Sequence, residues 1–471
     1  MPTTVYDDIR YSSYPYSSTH PGRLATVATL HGLEPPDASH GRVLEVGCGA
    51  GGNLMAMVSA TPGLRAVGVD LAAGPIAEGR AAAAAIGLPN IELRQGDVRD
   101  LTDGRLGEFD YIVAHGVYGW IPPDANDALL ATMNASLAPG GIAYVSYNVQ
   151  PGGYFRRMLR DAGLWHARKS ATPGERAAKA QELYQFLAQR RATPDDAYGA
   201  VLERELPPLA DGALYRLVHD DLAEFWEPVW FAEFAEHAAR HGLQYVGEAD
   251  LFYLRSEGLP GAVDSEVWEL ADGDRIAYET YVDLLTARHF RRSVLCRAGS
   301  KVTVTPAPER AERLHWAARP NAEPPEGGLL ARAFTRLDRH RPRSLSFADL
   351  LDSLRAEPAA LGEALLEGIR RECLIPHAGP VRAAAEPGTR PMASRLARWQ
   401  AARGVDLTSL VYTTVRMEEP AARRLLTLLD GTRDRDAIRA ALRADVGVEL
   451  TMDDLEANLA ELTRLFLFEP A

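Results

Sequence analysis

Short apolar runs alternate with longer stretches of helical periodicity over the first 150 residues of the chain. Apolar runs of this length predict β-strands, and the amphipathic stretches between them predict helices that cover a parallel sheet. Because the runs are apolar nearly throughout, we expect both faces of the sheet to be buried, in an α/β fold. The predicted strands are Arg42–Gly47, Arg65–Asp70, Ile91–Gln95, Phe109–Ala114 and Gly141–Tyr147, and the predicted helices are Gly52–Ala60, Pro75–Ile86 and Asp124–Leu137.

The pattern becomes mostly helical from Tyr154 to about Leu217, and two further strands follow later. An amphipathic helix at Pro228–Arg240 precedes a strand at Leu243–Val246, and another short strand lies at Ser293–Cys296. We expect these two strands to complete the sheet, with the helical segment inserted before them.

Helical patterns also dominate the chain beyond Lys301, after a polar, proline-bearing stretch at Thr305–Pro325 that predicts a linker or an extended strap. The predicted domains are a core at residues 1–165, a helical middle region at 166–300 that supplies the last strands, and a mainly helical C-terminal domain at 301–471. The helices predicted in this last domain are Phe347–Leu354, Leu361–Arg370, Pro420–Leu429, Asp434–Leu442 and Met452–Phe466.

The composition of the chain argues against several classes of protein. Lys+Arg 51 against Asp+Glu 64 gives a net charge of −13, which argues against a dedicated nucleic-acid binder because phosphate binding needs a basic surface. Cys48, Cys296 and Cys373 include no close pair, so we predict no disulfide framework and a cytoplasmic location. No apolar run reaches the roughly 18 to 20 residues of a membrane span, so we expect no membrane insertion.

A glycine-rich segment, Glu45–Asn53, follows the first predicted strand and opens a helix. Glycines let a backbone turn tightly and approach a ligand, and a helix N-terminus supplies amide donors. The spacing is ambiguous. Gly47, Gly49 and Gly52 satisfy the dinucleotide fingerprint, whereas Gly47, Gly49 and Gly51 behind the acid Glu45 fit a loop that binds S-adenosylmethionine.

Two further acids follow the next two strands. Asp70 ends the second strand, where a carboxylate can accept hydrogen bonds from both ribose hydroxyls. Asp97 and the amide of Val98 follow the third strand, where they can contact the adenine edge. The carboxyl ends of parallel strands share one edge of a sheet, so these contacts and the glycine loop predict one cofactor site.

At this point the chain resembles the class I S-adenosylmethionine-dependent methyltransferases, which have a Rossmann-like sheet. A narrower resemblance, over most of residues 5 to 300, is to bacterial protein lysine methyltransferases of the rickettsial outer-membrane-protein type, which carry a methyltransferase regulatory domain. One departure is Gly153-Tyr154, where Trp-His is expected. The residues that carry the narrower resemblance are Tyr6-Asp7, Thr19-His20-Pro21, Ala114 to Pro122, Ser146-Tyr147-Asn148, Pro151-Gly152, His219 to Ala249 and Arg291 to Cys296.

The resemblance implies S-adenosylmethionine as cofactor and a set of residues that bind it. It also implies a protein or peptide amine as acceptor, with a small-molecule N- or O-acceptor, or a cofactor-binding scaffold without turnover, as alternatives. The middle and C-terminal domains would form a substrate platform or a dimer surface, which leaves a homodimer open. The implied cofactor residues are Glu45, Gly47, Gly49, Gly51, Asn53, Asp70, Asp97, Val98 and His115.

Four residues near the ends of the fourth and fifth strands are catalytic candidates. Tyr118 and Trp120 would wall a channel for the acceptor amine, and Asn148 would orient it. His115 would be a base with a near-neutral pKa. The alternative places His115 against the methionine moiety of the cofactor and the two rings in the core.

Other groups receive structural interpretations, and no metal site is predicted. The leader tyrosines Tyr6, Tyr14 and Tyr16 form either a lid over the cofactor or mere surface packing. The cluster His219-Asp220-Asp221 is interpreted as a cap or salt bridge, and His237 with His241 as a solvated helix end. The basic residues Arg156, Arg157, Arg160, Arg168 and Lys169 are interpreted as a solvated helix face.

Overall fold

A seven-stranded sheet forms the centre of the computed structural model, which describes residues 4–11, 13–190, 196–251, 259 and 261–470. Its strands are β1 (Gly41–Val46), β2 (Leu64–Asp70), β3 (Ile91–Gln95), β4 (Phe109–Ala114), β5 (Leu137–Asn148), β6 (Leu243–Glu248) and β7 (Phe290–Arg297). The order across the sheet is β3-β2-β1-β4-β5-β7-β6. The first five strands pair in parallel, and β7 lies antiparallel between β5 and β6. The α/β fold class is therefore confirmed, and the two late strands join the sheet as predicted.

Thirteen α-helices belong to the part of the described chain that contains this sheet. The leader contributes α1 and α2, and the mostly helical stretch after β5 is confirmed as α6 to α10, followed by a π-helical turn at Leu217–Asp221. These helices are α1 (Val5–Asp8), α2 (Pro21–Leu30), α3 (Gly52–Ala60), α4 (Ala73–Ile86), α5 (Pro123–Ser136), α6 (Gly152–His166), α7 (Pro173–Gln189), α8 (Ala197–Glu205), α9 (Pro207–Ala210), α10 (Leu214–Arg216), α11 (Phe231–Arg240), α12 (Gly261–Leu270) and α13 (Arg275–Thr286).

Both faces of the sheet are buried, as the continuous apolar strands predict. On one face Leu54 of α3 and Leu24 of α2 pack in a core that continues into the C-terminal part of the chain. On the other face α5 and α11 cover the sheet, with Leu129, Phe231 and Phe234 fully buried. Within the described ranges, no helix has the length and apolar character needed to span a membrane.

The C-terminal part is mainly helical and also contains two small sheets. Strands β8 (His315–Ala318), β9 (Leu345–Ser346) and β10 (Leu374–His377) form one sheet, and β11 (Leu407–Thr408) pairs with β12 (Thr414–Val415). The helices are α14 (Gly328–Asp338), α15 (Phe347–Leu354), α16 (Pro358–Arg370), α17 (Arg395–Arg403), α18 (Pro420–Leu428), α19 (Arg435–Val446) and α20 (Met452–Arg464).

The predicted strap at Thr305–Pro325 is wrong over part of its length. It contains a 3-10 helix, Pro308–Arg313, and the central strand β8 of the small sheet. Trp316 in β8 is fully buried, and its indole Nε1 donates a hydrogen bond to the Ala311 carbonyl at 3.2 Å. A strand of four residues among charged neighbours is too short for its alternation to be recognised in the sequence.

Candidate active site

The glycine loop between β1 and α3 has the backbone shape that the sequence predicts. Gly47, Gly49 and Gly51 all have positive φ angles, which favour glycine. A Cβ atom at Gly47 would lie 2.4 Å from a methyl group of Val117, so a side chain there would collide. A Cβ atom at Gly49 would meet nothing within 4 Å. The loop is therefore packed against the protein at Gly47 and open at Gly49.

Glu45 and Asn53 form a buried polar pair under this loop. Asn53 Nδ2 donates to Glu45 Oε1 at 2.7 Å, and Asn53 Oδ1 accepts from the amide of Tyr16 at 3.0 Å. Glu45 Oε2 is buried and accepts no hydrogen bond from any described residue. Burial raises the pKa of Glu45 to about 8. Buried polar atoms usually have a hydrogen-bond partner, so this oxygen is available to a ligand that reaches the loop.

Asp70 lies at the carboxyl end of β2, as predicted. Its Oδ2 accepts from the amide of Gly49 at 2.7 Å and its Oδ1 from the amide of Ala72 at 2.9 Å. Burial raises the pKa of this carboxyl above its usual value. Each carboxylate oxygen has a second lone pair, so Asp70 can hold the glycine loop and still accept from ribose hydroxyls.

Asp97 and Val98 lie where the sequence places them, at the end of β3 and the start of a 3-10 turn, Val98–Asp100. The Asp97 carboxylate, however, forms a two-point ion pair with Arg99, at 2.6 Å from Nη2 to Oδ2 and 3.0 Å from Nε to Oδ1. The Arg99 guanidinium lowers the pKa of Asp97. The predicted adenine contact of Asp97 and the Val98 amide stays a prediction.

His115 follows β4 and does not have the near-neutral pKa predicted for it. Its Nδ1 lies 2.9 Å from the Tyr144 hydroxyl and 3.1 Å from Ser146 Oγ, and the Tyr16 ring packs against it at 3.9 Å between centroids. Burial, helped by the charge of Arg292, lowers the pKa of His115 to about 3. His115 is therefore neutral at physiological pH and a weak base, which favours the alternative of a contact with the methionine moiety.

Tyr118 packs in the core, which favours the alternative of a core ring over the predicted channel wall. The side chain packs edge-on against Phe234 of α11 at 5.1 Å and against Tyr147 at 5.7 Å. Its hydroxyl lies 2.9 Å from His237 Nδ1. The sequence shows an aromatic residue after β4, but its direction is set by α11, which lies over 100 residues further along the chain.

Trp120 and Asn148 lie near the carboxyl ends of β4 and β5: Trp120 is in the loop after β4, and Asn148 is the last residue of β5. Trp120 is half-buried, its Nε1 donates to the Asp220 carbonyl at 3.1 Å, and its ring lies 6.4 Å from that of Phe290. Asn148 ends β5 opposite Phe290 of β7 and is half-buried. The Asn148 side chain forms no hydrogen bond with any residue that the structure describes. Its amide is therefore available for the predicted role of orienting the acceptor, which stays a prediction.

The leader before α2 lies over the glycine loop. Ser13 Oγ accepts from the amide of Gly52 at 2.8 Å, and Asp7 Oδ1 accepts from the amide of Gly74 at 2.7 Å. Tyr6 stacks on His219 at 4.1 Å, and the Tyr14 hydroxyl lies 3.2 Å from that of Tyr215. The leader therefore connects the residues around the glycine loop with the middle region, which is the position that a lid over the cofactor would need.

The segment around the π-helical turn contributes groups that the sequence interpretation did not assign to the site. Asp221 forms an ion pair with Arg156 at 2.6 Å, which fits the predicted salt-bridge role. Arg160 donates to the carbonyls of Asp221 and Ala223, so the predicted solvated helix face is wrong for Arg156 and Arg160. Asp220 instead accepts from the hydroxyl of Tyr11 at 3.2 Å.

A separate cluster lies between α5 and α11, outside the cofactor side of the site. Asp127 Oδ1 lies 3.3 Å from His237 Nε2 and 2.8 Å from His241 Nε2, so the predicted solvated helix end is wrong. The three ligand atoms lie within 4.8 Å of one another. Two imidazoles and one carboxylate can hold a zinc ion, and the prediction that the chain binds no metal is untested.

Three domain families match the chain along most of its length. A "Methyltransferase domain" matches residues 43–141, a "Predicted methyltransferase regulatory domain" matches 214–297, and a "PKMT, C-terminal winged helix domain" matches 389–459. The uncharacterized protein RP028 of Rickettsia prowazekii is 31% identical over 235 residues, which are 50% of this chain and 94% of that protein. The chain belongs to the family of methyltransferases that carry this regulatory domain.

Further relatives extend the similarity. The uncharacterized protein RP789 of Rickettsia prowazekii is 35% identical over 297 residues, or 63% of this chain and 53% of that protein. The chain thus spans about half the length of RP789. The structure of PKMT2 from Rickettsia typhi in complex with AdoHcy is 23% identical, with a TM-score of 0.84 over 97% of this chain and 99% of that one. This likeness shows that the fold is shared along nearly the whole chain.

Proposed function

We propose that this protein uses S-adenosylmethionine to N-methylate a lysine or another amine of a protein or peptide. The observation that carries the cofactor assignment is the buried Glu45 Oε2 beneath the open glycine loop, which no described residue satisfies. Glu45 Oε2 would accept a hydrogen bond from the ammonium of the methionine moiety when the cofactor is bound. Asp70 and the open face of Gly49 suit the ribose and the chain that joins it to the methionine moiety.

S-adenosylmethionine supplies an activated methyl group, and the protein's own tasks are alignment and exclusion of water. The leader covers the glycine loop, while Trp120 and Asn148 border the acceptor side. The protein substrate is supported by the winged-helix match and by the likeness to PKMT2. The cytoplasm is the proposed compartment, because all three cysteines are free and buried. A homodimer stays a prediction.

Labelling identifies the acceptor. The protein is incubated with S-adenosylmethionine that carries a labelled methyl group and with lysate of its own host, and labelled species are located by mass spectrometry. Methyl-lysine in a protein supports the proposal. A labelled metabolite, or a methyl group that mild base releases as a carboxyl ester would, contradicts the amine assignment in favour of the small-molecule or ester alternative.

Calorimetry tests the cofactor separately. We expect S-adenosylmethionine and S-adenosylhomocysteine to bind and nicotinamide dinucleotides not to bind. Binding of a nicotinamide dinucleotide without binding of S-adenosylmethionine would contradict the cofactor assignment.

A further inference from the structure

Asp220 belongs to the π-helical turn and contacts both the leader and the loop after β4. Its Oδ2 accepts from the Tyr11 hydroxyl at 3.2 Å, and its backbone carbonyl accepts from Trp120 Nε1 at 3.1 Å. The leader and the loop after β4 therefore both meet the middle region at this residue.

Aromatic side chains of the leader contact Asp220 and its neighbour His219. Tyr6 stacks on the neighbouring His219, and Tyr11 packs edge-on against the same ring at 5.7 Å. Burial, and after it the negative charge of Asp220, raises the pKa of both Tyr6 and Tyr16. Asp70 raises the pKa of Tyr6 further, and Glu45 that of Tyr16. Tyr16 packs against His115 at 3.9 Å between ring centroids, and its amide donates to Asn53 Oδ1 at 3.0 Å, so the leader contacts both the residues under the glycine loop and the segment that contains Asp220.

The charge of Asp220 is poorly compensated. The nearest cation among the described residues is Arg216, whose Nε lies 3.8 Å away on a side chain that is 63% exposed. Arg156 is already bound to Asp221 at 2.6 Å. Burial and the repulsion of Asp221 raise the pKa of Asp220 to about 7, against the opposing effects of Tyr11, Arg216 and Arg156. A half-buried carboxylate among tyrosine and tryptophan rings has the chemistry of an ammonium-binding site.

We propose that Asp220, with the rings of Tyr6, Tyr16 and Trp120, binds the ammonium group of the acceptor side chain and removes its proton. The proposal rests on the proposed amine methylation and names the residues of its acceptor site. In the first step an N–H bond of the ammonium breaks and an O–H bond forms on Asp220. The nitrogen lone pair then bonds to the methyl carbon as the carbon–sulfur bond breaks and its electron pair stays on sulfur. Asp220 afterwards loses the proton to solvent.

Asp220 suits proton removal better than His115 does. A general base works best when its pKa lies near the operating pH, and burial keeps the pKa of His115 at about 3. His115 Nδ1 is also held by Tyr144 and Ser146.

The first test uses n-butylammonium as a probe, added to protein that is saturated with S-adenosylhomocysteine. The variants are Asp220→Asn, which removes the charge at constant shape, and Asp211→Asn, a matched control at an exposed position. We expect Asp220→Asn to weaken butylammonium binding roughly 10- to 100-fold, the usual worth of a hydrogen bond to a charged group. Asp211→Asn and the neutral probe n-butanol should show no such change.

Each outcome of this titration bears on one claim. If S-adenosylhomocysteine fails to bind, the proposed function and this inference both fail. If it binds and Asp220→Asn leaves butylammonium binding unchanged, the inference is overturned and the proposed function stands. A parallel melting curve excludes a merely structural role, because removing a buried charge should leave the midpoint unchanged or higher above pH 7.

Turnover provides a second readout, with lysate proteins as acceptors for labelled methyl groups. Loss of a general base costs about 10²- to 10⁴-fold, so Asp220→Asn should lose that much labelling and Asp220→Glu should recover part of it. The wild-type rate should rise through pH 7 and level off as Asp220 ionises. The Asp220→Asn rate should keep rising beyond pH 9, because its amine must lose the proton to water. Identical pH profiles would overturn the inference.

Discussion

The two sides of the active site are built in different ways. The proposed cofactor side consists of Glu45, the glycine loop and Asp70, which lie at the ends of adjacent strands within 30 residues of sequence. The proposed acceptor side is assembled from the leader, the loop after β4 and the π-helical turn, where Tyr11 and Asp220 are 209 residues apart in sequence. Local sequence order fixes the first side, whereas only the completed tertiary structure creates the second.

The largest expected effect comes from removing the middle region altogether. A fragment that ends at residue 165 loses β6 and β7, so the edge of β5 from Ala143 to Asn148 loses its partner strand. An unpaired apolar edge invites aggregation, and we expect an insoluble fragment. Solubility and S-adenosylhomocysteine binding are measured beside a fragment of residues 1–300, which keeps all seven strands. A stable, cofactor-binding fragment of residues 1–165 would show that the cofactor side folds alone.

Sequence patterns predicted the sheet because each strand is a local apolar run and each cofactor acid directly follows one. The same patterns could not predict the environment of side chains that meet distant segments. Tyr118 turns toward α11 instead of a channel, and burial beside Tyr16 and Tyr144 changes the pKa of His115. Asp220 could have been suspected only from its place next to His219 in a stretch with two adjacent acids.

The next prediction separates two aromatic residues that lie only two positions apart. Tyr118 is 5% exposed, so Tyr118→Ala should lower the free energy of unfolding by about 3 to 5 kcal/mol, the usual cost of removing a large core ring. Trp120→Ala, at a half-buried position, should cost less stability and instead reduce methyl transfer with unchanged S-adenosylhomocysteine affinity.

Denaturant unfolding and calorimetry on both variants measure this difference. Tyr118→Phe is the matched control, because it keeps the ring and loses only the contact with His237, worth about 1 kcal/mol. If Tyr118→Ala instead keeps normal stability and loses methyl transfer, the result would support Tyr118 as a wall of the acceptor channel, as predicted from the sequence.

A smaller effect is expected on the cofactor side from Asp70→Ala. The substitution removes the proposed acceptor of the ribose hydroxyls and the observed acceptor of the Gly49 amide. Hydrogen bonds to a charged acceptor contribute about 1.5 to 3 kcal/mol, so S-adenosylhomocysteine should bind roughly 10- to 150-fold more weakly. Asp352→Ala, an exposed acid on α15, is the control for a lost charge. Equal affinities in the two variants would contradict the role of Asp70.

The smallest effect concerns the pH dependence of cofactor binding, which Glu45 should control. Burial raises the pKa of Glu45 to about 8, so this carboxyl is mostly protonated at pH 7 in the free protein. In the proposed complex the ionised Glu45 would pair with the ammonium of the cofactor, so binding should release this proton and the affinity should rise with pH. Between pH 6 and 7 the rise should be about tenfold, because one pKa unit corresponds to 1.36 kcal/mol. Titrations in buffers of different ionisation enthalpy measure the released proton directly.

Glu45→Gln should flatten the pH profile of cofactor affinity while Asp220→Asn leaves it intact, which would show that the two sides of the site titrate independently. A wild-type profile that is flat over this range would contradict the assignment of Glu45.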